Sequence, residues 1–385
     1  MKKPKRVLYA SQWWLEDQMG CVAREAAQRH WHINFQMCVT NRLPRRWRGD
    51  GIITTFSAPI EEEAAFLKQA NCPAVALNQY HRDIDVPYVS LDMTAAGQLA
   101  AGHFLERGFR HFAHYTRSSW QATKLPYLPF EKRVAEHGGT VARLDWAAVK
   151  GCWGETWEGR HDWLRHRLRT LPKPLAVLAV EPLAAVEVIE AALEEGLDVP
   201  DQVAVLGLFD ISFFRECATV GLSCIIQDFE KQVRTACDLL ARMMDGEPAP
   251  SNPILLPPAG ITTRRSTDTI AAHMPEVAKA IRYLRRNYAA PVSVDQLADI
   301  CDVSRTRLYD VFDADLGQSP HALLTRIRLD KAKKMLLETD EKIRAIAEAC
   351  GFGSVVNLHR HFKSDLGMTP GAYRKRAEGG GAEAG

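Results

Sequence analysis

The chain of 385 residues lacks any apolar run long enough to cross a bilayer. Its longest runs, such as LAVLAV at 175–180, have the length of a buried strand, far short of the roughly 20 residues a spanning helix needs. The opening MKKPKRVLYASQ has the basic end of an export signal, but its apolar stretch stops after Val7, Leu8, Tyr9 and Ala10; export needs about 7 to 15 apolar residues. A cytoplasmic protein with no membrane partner is expected. The nine cysteines are odd in number and contain no C-x-x-C pair, which argues against a disulfide framework and against a cysteine-rich zinc site. Reduced, mostly buried thiols are expected instead. Also missing are G-x-x-x-x-G-K-[ST], G-x-S-x-G, H-E-x-x-H and G-x-G-x-x-G, so the usual signatures of phosphate-loop, serine-hydrolase, zinc-protease and dinucleotide chemistry are absent. The expectation is a protein that is not an enzyme and carries no cofactor. Three histidine pairs, His30/His32, His111/His114 and His359/His361, lack a Cys or acid to complete a metal-ligand set, and are expected to be ordinary surface or interface side chains.

What is present is ordinary in bulk: 46% apolar and 25% charged residues, the balance of a folded globular protein. The length predicts two or three domains. The net charge of +2 hides a division, because residues 271–376 hold 18 Lys+Arg against 13 Asp+Glu, a basic surplus that suits nucleic acid or a solvated face.

From Arg6 to about Thr262, short apolar runs alternate with helical patterns, as in repeated βα units around a parallel sheet. The candidate strands are 6–10, 50–56, 73–78, 109–116, 175–180 and 203–209; helical stretches such as 61–70, 95–108 and 184–196 lie between them. A doubly wound α/β architecture in two lobes follows. The stretch 247–260 has five prolines in fourteen residues, which suits extended or connecting backbone. Beyond it, Val277, Ile281, Leu284 and Tyr288 recur at helical spacing, the mark of one buried helix face. The predicted division is an α/β domain over 1–265, a linker over 266–275, an all-α domain over 276–376 and a flexible tail over 377–385.

The helical region repeats itself. SRTRLYDVFDADLGQSP from Ser304 lies over SVVNLHRHFKSDLGMTP from Ser354, matching Ser304/Ser354, Leu308/Leu358, Phe312/Phe362, Asp315/Asp365, Leu316/Leu366, Gly317/Gly367 and Pro320/Pro370. Each copy has the pattern of a helix-turn-helix, in which a short helix packs behind a second that enters the major groove of DNA. Ser304 and Ser354 stand where the N-caps of the two reading helices belong. Residues 322–338 read as a single helix between the copies, long enough with its flanking turns to hold two reading helices about 34 Å apart, one turn of DNA. With Leu308, Val311 and Phe312 buried, the first reading helix turns Thr306, Tyr309, Asp310 and Asp313 outward; the second turns out Val356, His359, Arg360 and Lys363. Arg360 suits guanine, Val356 a thymine methyl and Lys363 a phosphate. Arg305 and Asn357 complete the candidate DNA contacts.

Residues 276–376 resemble the DNA-binding domain of the AraC/XylS family, through R-x-x-x-A-x-x-x-L (Arg328, Ala332, Leu336), I-A-x-x-x-G-F (Ile346 to Phe352) and L-x-R-x-F (Leu358 to Phe362). The resemblance implies two helix-turn-helix units joined by a linker helix, binding a double-stranded DNA operator. Asp310 stands where the family usually has the arginine of L-x-R-x-F; a carboxylate there suits cytosine N4.

Residues 5–265 resemble the ligand-binding domain of LacI-type repressors and periplasmic sugar-binding proteins, through D-G-I-I (50–53), V-S-L-D-M-x-x-x-G-x-x-A (89–100), H-F-L-E-R-G-F-R (103–110), G-L-D-V-P-D-Q-V-A-V-L-G (196–207) and T-T-R-R-S-T (262–267). That resemblance implies two lobes closing on a small-molecule effector, a monosaccharide, and a homodimer. Candidate effector contacts are Gln12, Trp13, Trp14, Asp92, Trp120, Lys124, Glu181 and Asp210. The usual Asn-Asp after the fifth strand is here Glu181-Pro182 and the usual Asp after the V-x-G strand is Phe209, so the resemblance does not fix which sugar binds. A domain that only dimerises is the alternative. The helix in AAGQLAAGHFLERG fits either a partner or its own lobe.

Overall fold

The computed structural model describes residues 3–11, 15–44, 46–55, 60–78, 85–117 and 124–380. The chain divides into two compact units, Met1–Thr269 and Ile270–Gly385.

Among the described residues the first unit holds two six-stranded sheets. One has the order β11-β5-β4-β3-β1-β2, from β1 (Arg6–Ala10), β2 (His32–Asn34), β3 (Gly51–Thr54), β4 (Ala74–Leu77), β5 (Tyr88–Leu91) and β11 (Ile254–Leu256). The other has the order β12-β10-β9-β8-β6-β7, from β6 (His111–Thr116), β7 (Thr140–Asp145), β8 (Leu175–Ala179), β9 (Val203–Leu208), β10 (Ser223–Ile226) and β12 (Gly260–Thr262). All pairings are parallel except β10 with β12. The central β8 and β9 are buried at every residue, since helices cover both faces of a parallel sheet and leave no polar side to alternate. The edge strands β2 and β7 carry exposed polar residues such as His32 and Arg143, which is why no apolar run announces them.

The chain passes between the sheets after β5, after β10 and after β11, so three strands of backbone join the lobes. At this hinge Asp92 N–H donates to Leu256 O (2.7 Å) and Ala259 N–H to Ile226 O (3.0 Å). Helix Met93–Leu105 packs on helix Tyr127–Ala135 in the second lobe, and a Cβ at Gly97 would lie 2.2 Å from Pro126 O. The small residues Ala96, Gly97, Ala100 and Ala101 are thus buried to let two helices approach within their own lobe, which answers the question of what covers them.

In the second unit, helix Pro275–Asn287 leads into Val294–Cys301 and the first reading helix Arg305–Leu316; the linker helix Pro320–Glu338 leads into Ile343–Ala349 and the second reading helix Val355–Leu366. Two cores follow the repeat. Val277, Ile281, Leu297, Leu308, Phe312, Leu323 and Ile327 share one; Leu329, Ala332, Leu336, Ile346, Phe352, Leu358 and Phe362 share the other. The linker helix therefore buries its first half in one unit and its second half in the next. Gly317 and Gly367 both end reading helices at positive φ, 62° and 69°, a conformation in which glycine carries no Cβ penalty. Pro320 and Pro370 open the following helices, where a missing N–H costs nothing.

Two boundaries differ from expectation. Residues 266–275 are not a free linker. Ser266 and Thr267 are fully buried in the first unit, Ser266 Oγ donating to Val205 O (2.6 Å) and Thr269 Oγ1 to Asp201 (2.8 Å); Ile270, Ala272 and Met274 pack on the first helical core. Short polar side chains that satisfy a sheet's free groups look like linker in sequence. At the other end helix Pro370–Gly380 continues past residue 376, because Ala377 and Glu378 are good helix formers and a terminal glycine costs little. Residues 381–385 lie outside the described residues.

Candidate DNA interface and effector cleft

Both reading helices start from a serine. Ser304 Oγ accepts from Arg307 N–H and Ser354 Oγ from Asn357 N–H, each at 3.2 Å. Capping fixes the first turn, the part that would meet base edges. With Leu308, Val311 and Phe312 fully buried, Thr306, Tyr309, Asp310 and Asp313 face solvent. On the second helix Leu358 and Phe362 are buried, while Arg360 and Lys363 are exposed, His359 is half-buried and Val356 is 76% exposed. An aliphatic side chain so exposed on a reading helix suits a thymine methyl. Among the described residues neither Arg360 nor Lys363 has a carboxylate partner. Two other candidates are engaged: Asn357 Nδ2 donates to Phe352 O (3.1 Å), tying the turn, and Arg305 lies 3.4 Å from Asp295 in an exposed pair that a phosphate can replace at little cost.

The two lobes of the first unit present the carboxyl ends of their strands, where open α/β sheets bind ligands. Gln12, Trp13, Trp14 and Trp120 lie outside the described residues. In the first lobe, Thr55 Oγ1 donates to Ser11 Oγ (2.6 Å). Asp92 caps helix Met93–Leu105, its Oδ1 accepting from Thr94 and Ala95 N–H (2.9 and 3.1 Å); the other oxygen takes no part in the cap. In the second lobe, Lys124 Nζ donates to Asp145 Oδ2 (2.7 Å), and Asp145 Oδ1 is buried with no hydrogen-bond partner. Glu181 is half-buried directly before helix Pro182–Glu194 and offers it no side-chain cap. Asp210 is held by Arg264 through two hydrogen bonds (3.0 and 2.7 Å) and faces Arg215 at 3.6 Å, so its carboxylate is already committed. Phe209 sits at φ 66°, turning the chain toward that pair.

Three residues enter here that the sequence patterns passed over: Arg117, Asp145 and Gln227. Each stands at or next to the end of a strand, β6, β7 and β10, which is the signal that finds them. Arg117 Nε is buried without a hydrogen-bond partner, 3.5 Å from Glu187, which also receives Arg160 (2.9 Å) and the Tyr115 hydroxyl (2.9 Å). Burial, helped by that carboxylate, pushes the Tyr115 hydroxyl well above its usual range. Gln227 Oε1 is likewise buried and unpaired. A buried donor or acceptor left unpaired costs stability unless something fills it. Across the lobes, Ser212 donates to Asp17 from its backbone N–H (3.3 Å) and from Oγ (3.2 Å).

The histidine pairs resolve individually. His114, expected at a surface or an interface, is buried inside its lobe: it stacks on Tyr127 at 4.0 Å and bonds Glu131 at 2.9 Å, and burial lowers its pKa. Among the described residues no group of three His, Cys, Asp or Glu side chains is arranged to hold a metal, and no helix is long and apolar enough to cross a membrane.

Residues 101–267 match the periplasmic binding protein-like domain family, and residues 297–376 match a helix-turn-helix domain family. The xylose operon regulatory protein of Escherichia coli (strain K12) is 29% identical over 364 residues, 91% of this chain and 90% of that one. A Streptomyces antibioticus protein named as an AraC-like transcription regulator is 42% identical over 101 residues, 26% of this chain and 33% of its own. The solved structure of the xylose-binding transcription activator xylR superposes with a TM-score of 0.69 at 27% identity, covering 97% of this chain and 98% of that one. Two helix-turn-helix units behind a two-lobed α/β domain, matched along nearly the whole chain, make this protein a transcription regulator of the AraC type with a periplasmic-binding-protein-like sensor domain.

Proposed function

We propose that the sensor cleft binds a monosaccharide and that this binding alters how a homodimer of the chain engages a double-stranded DNA operator, controlling carbohydrate-utilisation genes in the cytoplasm. The observation that carries the effector class is the unpaired polar set at the strand ends. Arg117 Nε is a donor, while Asp145 Oδ1 and Gln227 Oε1 are acceptors. A sugar hydroxyl both donates and accepts, so a polyol satisfies Arg117 and Asp145, at the ends of the neighbouring strands β6 and β7, where an anion or a cation serves only one kind. Lys124 is bonded to Asp145 within this set, and Asp92 stands at the end of β5 in the other lobe, from which closure would bring it toward the same ligand. Glu181 supplies a further acceptor; Asp210 positions Arg264 and Arg215. The likeness to the xylose operon regulatory protein runs through the sensor half as well as the DNA-binding half, which favours a working sensor over a domain kept only for dimerisation.

On DNA, Arg360 contacts guanine, Val356 a thymine methyl and Lys363 a phosphate, with Thr306, Tyr309 and Arg305 approaching the other half-site. Asn357 serves by shaping its turn, and His359 lies beside the groove edge.

Thermal unfolding of the full chain with D-xylose, other pentoses, hexoses, uronic acids and sugar phosphates tests the effector. Ligand at a hundred times its dissociation constant stabilises by about 2.7 kcal/mol, a shift of several degrees. Asp92→Asn keeps the helix cap and should abolish the shift. No shift with any neutral sugar would overturn the monosaccharide reading.

A further inference from the structure

The two reading helices present opposite charge at equivalent positions. At the repeat offset of fifty, Thr306 corresponds to Val356, Tyr309 to His359, Asp310 to Arg360 and Asp313 to Lys363. The equivalence is structural as well: both helices start at a capping serine and end at a left-handed glycine thirteen residues on. Asp310 and Asp313 are exposed, and among the described residues neither has a cationic partner. In the first unit the outward cations are Arg305 and Arg307, at the very start of the helix.

An uncompensated carboxylate brought to a polyanion is repelled unless it finds a donor. The major groove has two amino donors, cytosine N4 and adenine N6. Adenine presents its N7 acceptor beside N6, which repels a carboxylate oxygen, whereas cytosine has only a C–H beside N4. Guanine shows two acceptors and rejects a carboxylate outright. Arg360 has the reverse preference, matching guanine O6 and N7 through two parallel N–H groups.

We infer that Asp310 is a specificity-determining residue that reads cytosine, so that the operator carries a G·C pair at the equivalent step of each half-site with its strands exchanged: the strand that offers guanine to Arg360 offers cytosine to Asp310. Asp313, placed where Lys363 meets a phosphate, weakens binding to every sequence and leaves the first unit dependent on its base contact. This rests on the DNA-reading role proposed above for the outward residues.

The test is selection from a random double-stranded library by the full-length protein, the D310N and D310R variants, and R360A. The wild type should enrich two half-sites about one helical turn apart, with guanine at one step and cytosine at its counterpart. D310N should lose the cytosine preference, a change of about fivefold or more at that base, with the Arg360 half-site intact. D310R should convert the cytosine to guanine. An unchanged motif from D310N, or guanine at both steps for the wild type, overturns the inference. If the wild type itself enriches no motif, the DNA-reading assignment fails with it; a wild-type motif with base preference in the Arg360 half-site and none at the Asp310 step sinks the Asp310 inference alone. D313N separates the phosphate effect: it should tighten binding to all sequences and steepen the salt dependence by about one counterion.

Discussion

Arg328 and Arg374 do the same work in the two halves of the helical unit: each reaches back to the carbonyls that end an earlier helix. Arg328 donates from Nε to Tyr288 O (2.8 Å) and from Nη2 to Ala290 O (2.9 Å), closing helix Pro275–Asn287. Arg374 donates to Leu336 O (3.1 Å), Thr339 O (3.1 Å) and Glu341 O (2.8 Å), closing the linker helix. The last carbonyls of a helix have no partner of their own, and a guanidinium both bonds them and opposes the negative end of the dipole. Arg328→Ala should destabilise the helical unit by about 1–3 kcal/mol. Arg328→Lys should not restore it, because one ammonium lacks the planar fork that spans two carbonyls. Urea unfolding of the full chain, followed by helix content, reads both; equal stability of Lys and wild type would remove the argument.

The reading helices should contribute unequally to affinity for mixed-sequence duplex. Arg360→Ala removes an exposed positive charge and should weaken binding several-fold, while Asp310→Ala removes a negative one and should tighten it. Lys363→Ala should lower the salt slope by about 1. Fluorescence anisotropy at fixed and then varied salt measures each; equal weakening by the two alanine substitutions would contradict the division of charge.

Acid should destabilise the sensor unit through His103. Its Nε2 bonds Thr267 Oγ1 (2.8 Å), which donates to Ser223 Oγ (2.8 Å), which donates to Arg264 O (2.9 Å). Burial first, then the nearby Arg107, depresses the imidazole pKa to about 3. The folded state holds His103 neutral while the unfolded chain protonates it near its ordinary value, so unfolding takes up a proton below about pH 6.5. Stability from this group is full above that pH and falls as pH drops toward 3, by at most about 1.4 kcal/mol per unit. Melting curves from pH 7 to pH 4.5 should be steeper in pH for the wild type than for His103→Gln; parallel curves would refute the linkage.

Asp17, in the helix after β1, and Ser212, in the helix after β9, join the two lobes. Removing one such bond, Ser212→Ala should raise the half-saturating concentration of whichever sugar stabilises the wild type about two- to tenfold and leave the melting temperature without sugar nearly unchanged. An unaltered saturation curve would mean that closure does not depend on this contact.

Periodicity and spacing carried much of this protein in plain view. The central strands are apolar throughout because both sheet faces are covered, and the fifty-residue repeat marks caps, core positions and C-terminal glycines that the structure uses in both copies. The outward residues of both reading helices follow from the helical period alone, since Leu308 and Phe312, like Leu358 and Phe362, leave only one face free. These are local matters: a helix or strand repeats its own geometry, so residues a few positions apart state which side is buried.

The effector cleft depended on contacts between residues far apart in the chain, and there single residues misled. Asp210 reads as a ligand contact, yet Arg264, fifty-four positions away, already occupies it. Arg117 and Gln227 carry no motif, and only the strands ending beside them, with no hydrogen-bond partner for Nε or Oε1, mark them as candidates for the site. Residues 266–269 look like linker, until β9 and the turn before it supply Val205 O and Asp201 as partners. A side chain's chemistry can be read from its letter, but whether its hydrogen-bonding capacity is spent or free is settled by neighbours that only the folded chain brings within three ångströms.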